Sequence, residues 1–213
     1  MKYLIFIFLI ISFTAQAQQT SARVKVNGIA YTIIPNSDGS ITIKVKGKVI
    51  QHYPAKDLYD VTFSDFKFVD YNGDGYKDIV IEYFSNVPDI QDLLLYNKKL
   101  KAFTIVKDFP DYPAGTKLKG TKLYYSYHRS GCADMNWDSD LYAIKNYKVV
   151  PLGTISGREC KNDDEPNGIY IYKDTKAKQK LLKTYNINKL NDFEGDKWAF
   201  IADCWKSNYK KFQ

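Results

Sequence analysis

Histidine and cysteine are scarce: the 213 residues hold two of the first and three of the second. Neither a C-x-x-C pair nor a Cys/His cluster occurs, which argues against a structural zinc site. No G-x-S-x-G elbow is present to carry a hydrolase serine. Beyond the N-terminal segment no second long apolar run follows, so a membrane-spanning chain is not expected. No recognition helix accompanies the basic excess of 31 Lys and Arg over 24 Asp and Glu, net +7. The lysines are scattered over strand-like segments, as at Lys44, Lys46 and Lys48, so the charge reads as a solvated surface and no nucleic-acid partner is expected.

Residues 1–18 read as a signal peptide. Lys2 supplies the positive start, residues 4–11 an apolar core too short to span a bilayer, and Ala15-Gln16-Ala17 the small-x-small cleavage site. The expectation is an exported protein, periplasmic or secreted, with residues 19–213 forming a single domain. Without a cysteine near the cleavage site it is not read as a lipoprotein.

Eighteen tyrosines and twelve phenylalanines among short apolar segments separated by turns predict an all-β protein, either propeller-like or an irregular multi-sheet architecture. Residues 22–53 read as a meander, with Asn27-Gly28 as its first hairpin turn. Further strands are expected at 79–84, 92–96, 102–106, 118–127 (with Gly120 inside), 140–144, 148–152, 168–172 and 180–185. The end of the chain changes period: Asp196 can cap a helix, and Trp198, Ile201, Trp205, Tyr209 and Phe212 form a stripe that closes the fold.

In an oxidising compartment three cysteines leave one unpaired. Cys132 and Cys160 lie in polar, turn-rich segments and Cys204 in an apolar one, so a Cys132–Cys160 bridge with Cys204 as a buried thiol is expected.

Residues 66–81 carry the sharpest motif. Asp70, Asn72 and Asp74 place oxygens at alternate positions, Gly75 allows a sharp turn, and Asp78 follows. With the Tyr76 carbonyl these groups form an oxygen set suited to Ca2+, the expected cofactor. Position twelve is Ile81, where an EF-hand carries Glu, and the flanks read as strands, so the unit is strand–loop–strand. A metal-free Asx-rich turn is the plainer alternative. The D-x-N-x-D-G-x-x-D pattern resembles the calcium loops of FG-GAP and VCBS repeats, which link strands in β-propellers.

A second polar constellation fills residues 125–140. It offers His128, Arg129, Ser130, Asp134 and an exposed-type Trp137 as candidate binding residues. Several readings compete. One is a cell-envelope hydrolase, with His128 as base and Ser130 as nucleophile, or Asp134 and Asp138 as a carboxylate pair. Another is a second calcium loop through Asp134, Asn136, Asp138 and Asp140, which lacks the turn glycine. A third is a protein- or glycan-binding loop pinned by Cys132, and an ordinary hairpin loop remains comparable to all of them. Recognition rather than catalysis is the leading expectation. A small exported β-rich protein with one such calcium loop resembles the propeller-like periplasmic relatives of I-type lysozyme inhibitors. Those inhibitors present an S-G-x-x-Y loop to the enzyme cleft. Ser130-Gly131 match its first two positions and Asp134 occupies the tyrosine position. The resemblance implies a protein partner in the cell envelope, a lysozyme.

Overall fold

A computed structural model describes residues 21–55, 61–160, 166–175 and 178–213. The expected signal peptide lies outside them. The described residues form three antiparallel sheets and a C-terminal helix. The first sheet is a meander of β1 (Ala22–Val26), β2 (Ile29–Pro35), β3 (Ile41–Val45) and β4 (Lys48–Tyr53). Asn27 (φ 49°) and Gly28 (φ 78°) both sit in the left-handed region that a two-residue hairpin matching the strand twist requires. The second sheet is a meander of β5 (Thr62–Val69), β6 (Asp78–Phe84), β7 (Gln91–Asn97) and β8 (Ala102–Ile105). The third contains β9 (Thr116–Lys117), β10 (Leu123–Tyr125), β11 (His128–Arg129), β12 (Asn136–Lys145), β13 (Lys148–Arg158), β14 (Gly168–Asp174) and β15 (Gln179–Tyr185). Its order is β15-β14-β13-β12-β10-β9, with β11 paired to β12. Helix α1 (Lys197–Asn208) follows.

The layers share three cores. Ile33 and Ile43 of the first sheet meet Ile79, Ile81, Leu94 and Tyr96 of the second. Val80, Leu93 and Leu95, on the other face of the same strands, meet Tyr124, Tyr142 and Val149 of the third. That sheet's far face packs Leu141, Ile155 and Ile169 against Phe200, Ile201 and Trp205. The middle sheet is therefore covered on both faces, which is why β6 and β7 are continuous apolar runs and not alternating ones. Each of these aliphatic side chains contributes about 1.5–3 kcal/mol when fully buried.

The all-β, multi-sheet expectation is met, but the sheets do not close into a propeller. The expected strand over 118–127 is a correction: only Leu123–Tyr125 is strand, because Gly120 (φ 77°) turns the chain between β9 and β10. Asp196 caps α1, accepting from the Trp198 and Ala199 amides (2.9 and 3.1 Å). Ile201, Trp205 and Phe212 of the expected stripe are buried, whereas Trp198 is 54% exposed. Cys132 and Cys160 form the disulfide and Cys204 is a buried free thiol, whose pKa burial pushes up to about 11. No helix among the described residues is long and apolar enough to cross a membrane.

Candidate functional site

Residues 125–140 form a hairpin on the third sheet. β11 pairs with β12, His128 opposite Asp138 and Arg129 opposite Trp137. Past that pair the Ser130 amide donates to the Asn136 carbonyl (2.7 Å), and the Asn136 amide donates back to Gly131 (3.2 Å). Residues 129–133 are all exposed. The tip turns through four successive positive φ angles: Gly131 (107°), Cys132 (54°), Ala133 (49°) and Asp134 (74°). Glycine adopts such angles freely; each of the other three costs on the order of 1 kcal/mol or more, so the run persists only where its surroundings fix it.

Three restraints do so. The disulfide ties Cys132 to Cys160, two residues beyond the end of β13. Asn136 Oδ1 accepts from the Glu159 and Cys160 amides (3.1 Å each), binding that end to β12. Asp134 is held from three directions. Its carboxylate accepts from the Tyr127 hydroxyl (2.5 Å), pairs with the Lys197 ammonium (3.0 Å), and lies 3.8 Å from Arg129 Nε. Lys197 also donates to the Asp134 carbonyl (2.8 Å). Burial raises the Asp134 pKa, but Tyr127 and Lys197 together more than offset it, so the carboxyl stays below its usual range. The first turn of α1 thus braces the tip.

Trp137, expected on the surface, is fully buried, and this corrects the binding set. Strand alternation turns it away from Asp138 and Asp140. A Cβ on Gly157 would come within 2.1–2.4 Å of its ring, so glycine there makes the room. Sequence reasoning missed Trp198. It stands beside the tip, its ring 5.3 Å from Tyr127 and 4.8 Å from the Lys197 ammonium. Met135, 47% exposed, and Arg129, with 55% of its side chain exposed, belong to the same hairpin.

His128 sits on the sheet face and pairs with Asp140 (3.2 Å). The hydrogen bond to Asp140 raises its pKa against the opposing effect of burial. Asp140 also accepts from Ser126 (3.3 Å) and Thr154 (2.7 Å). The carboxylate therefore lies between serine and histidine, whereas a triad needs the histidine between the other two. No hydrogen bond joins Ser130 to His128 among the described residues. Asp138 is buried against Arg158 (3.1 Å) and Ser156 (2.5 Å). Asn136, Asp138 and Asp140 lie along the extended strand β12 and not round a turn, so among the described residues they do not take the arrangement expected of a second calcium loop.

The 70–78 loop joins β5 to β6. Asp70 accepts from the amides of Gly73, Asp74 and Gly75 (2.8–3.0 Å), and Gly73 and Gly75 take positive φ. Asp74 accepts from the Tyr76 amide (2.9 Å) and the Asn72 side chain (3.1 Å). The structure thus gathers Asp70, Asn72 and Asp74 round one turn. Asp78 lies beneath it, fully buried, accepting from the Tyr71 (2.9 Å) and Tyr96 (2.8 Å) amides. Burial pushes the Asp78 carboxyl up to about 6, against the pull of those amides. Lys117 rests on the loop, 3.1 Å from the Asn72 carbonyl. No three Asp, Glu, His or Cys side chains come together as a metal cage among the described residues.

No family model matches the chain, and no curated protein does. It is similar to a solved structure described as a Xanthomonas type IV secretion system related protein, with 17% identity and a TM-score of 0.47, covering 78% of this chain and 95% of that one.

Proposed function

We propose that this is an exported recognition protein of the cell envelope, that residues 129–133 are its working tip, and that its partner is a lysozyme it inhibits. The observation that carries the reading is the exposed, left-handed tip locked by a disulfide and by Lys197. A segment already held in one shape loses little entropy on docking. The disulfide fits an oxidising compartment, in keeping with export. The Ser130-Gly131 resemblance supplies the partner class. Both Arg129 and Ser130 are exposed, and in this reading they would meet a cleft carboxylate by charge-assisted hydrogen bonds. Arg and Trp are the side chains most enriched at interface hot spots, and Trp198 takes the place expected of Trp137. Titration calorimetry against a panel of lysozymes tests this: one should bind, and Trp198→Ala should weaken it about 30-fold, the equivalent of a hot-spot loss of about 2 kcal/mol. Absence of heat with every lysozyme would remove the reading.

The same proposal includes calcium at the 70–78 loop. Its support is a donor set made only of oxygen, from Asp70, Asn72, Asp74, Asp78 and the Tyr76 carbonyl, which suits a hard cation. Bound calcium would cross-brace the loop that leads into the doubly covered sheet. At a hundredfold excess over Kd it would stabilise by about 2.7 kcal/mol. Chelation should lower Tm, and Asp74→Ala should remove that response; identical melts with calcium and with chelator would refute it.

A further inference from the structure

The basic charge is not evenly spread. Residues 22–53 hold five cations (Arg23, Lys25, Lys44, Lys46 and Lys48) against one carboxylate, Asp38, a local net of +4. Alternation puts Arg23, Lys25 and Lys44 on the face of the first sheet that points away from the core. The register aligns them. Arg23 lies opposite Thr32, Thr32 opposite Lys44, and Lys44 opposite Val49. One step along, Lys25 lies opposite Ala30, and Lys46 begins the turn beyond Val45.

Cations on β1 and at the end of β3 therefore flank β2, where the residues between them are the small Ala30 and Thr32. Strands two apart are roughly 10 Å from one another. The result is a trough with basic walls. A surface depression of about 830 Å³ is lined there by Arg23, Ala30, Thr32 and Lys46, among others. Asp38 sits in the β2–β3 turn, at the other end of the sheet. None of these five cations forms an ion pair among the described residues, so their charge is not neutralised by a neighbouring carboxylate. Beside Lys48, Val49 and Ile50 are exposed at 58% and 42%.

We infer that the outer face of the first sheet is a docking surface for an anionic phospholipid bilayer. The trough takes phosphate headgroups between Arg23 and Lys25 on one side and Lys44 and Lys46 on the other. Val49 and Ile50 dip beside them into the interfacial layer, as apolar side chains next to snorkelling lysines do. The pairing of unneutralised cations with exposed aliphatics favours a membrane over a soluble polyanion, which offers no apolar phase. The inference is independent of the lysozyme reading, because the tip belongs to the third sheet.

The test is sedimentation of the purified exported protein with vesicles of phosphatidylcholine alone or mixed about 3:1 with phosphatidylglycerol. Binding should require phosphatidylglycerol and should weaken as salt rises and screening shortens from about 10 Å at 0.1 M to about 3 Å at 1 M. Replacing Lys25, Lys44 and Lys46 together by Gln should lower partitioning about a hundredfold, at roughly fivefold per cation, with Tm unchanged. Lys206, Lys210 and Lys211, replaced together by Gln as a control, should leave it within about threefold. The inference is overturned if the control triple loses as much, if neutral vesicles bind equally, or if polyphosphate binds the trough while phosphatidylglycerol vesicles do not.

Discussion

Replacing Lys197 by Met removes the brace between α1 and the tip while keeping most of the apolar stem. The ammonium makes two contacts there, to the Asp134 carboxylate (3.0 Å) and carbonyl (2.8 Å), with only 12% of the side chain exposed. Hydrogen bonds involving a charged group are worth about 1.5–3 kcal/mol each when intact. Asp134 is 23% exposed and keeps Tyr127 and Arg129, so water and those partners recover part of the loss. The net cost comes to about 2–3 kcal/mol. At roughly 2–4 °C per kcal/mol for a domain of this size, Tm should fall by about 4–12 °C. The effect should also be local. The Met135 and Asn136 amides, which donate to Cys132 and Gly131, should exchange with solvent roughly ten- to a hundredfold faster. Hydrogen exchange read by mass spectrometry or NMR reports both. Unchanged exchange at these two amides would refute the claim that α1 holds the tip, even if Tm fell.

Two further outcomes follow from the same geometry. Replacing both Cys132 and Cys160 by Ser opens a bridge spanning 28 residues, for which the chain-entropy relation gives about 3.6 kcal/mol; thermal melts of the double variant should show it, and a loss under 1 kcal/mol would contradict the restraint. The pKa of His128 is raised by its bond to Asp140, so the pair's stabilisation is fully present below the ordinary value of 6.5 and is lost as pH rises through the folded value. Denaturant midpoints should therefore fall with rising pH above 6.5 more steeply for the natural protein than for His128→Gln, and parallel curves would refute the assignment.

Much of the fold was legible because period-two alternation is written plainly in residues 22–53, where one face is buried and the other wet. The middle sheet was legible only as apolar runs; that both its faces are covered depends on partners distant in sequence, which periodicity does not carry. Gly120 hid the break between β9 and β10, since a glycine inside an apolar segment fits a strand bulge as well as a turn. The bridge was readable from local polarity, because both its cysteines lie in polar, turn-rich segments beyond the ends of β11 and β13. Trp137 misled by its neighbours: Asn136, Asp138 and Asp140 made the segment look wet. The alternation that puts those three on one face puts Trp137 on the other, and that signal was available. Trp198 shares helical spacing with Ile201 and Trp205, so its exposure follows only from the position of Tyr127 and the tip beside the first turn of α1. Lys197 as the partner of Asp134 spans 63 residues of sequence, and no local pattern announces it.

In the proposed function the 129–133 tip recognises and blocks a lysozyme. The most direct measurement is the rate of peptidoglycan lysis by representative c-, g- and i-type lysozymes, titrated with the protein to micromolar concentration. At least one class should be suppressed, and Ser130→Ala and Arg129→Ala should each relieve the suppression while leaving Tm unchanged. Full activity of every class, or suppression that both variants retain in full, would contradict it.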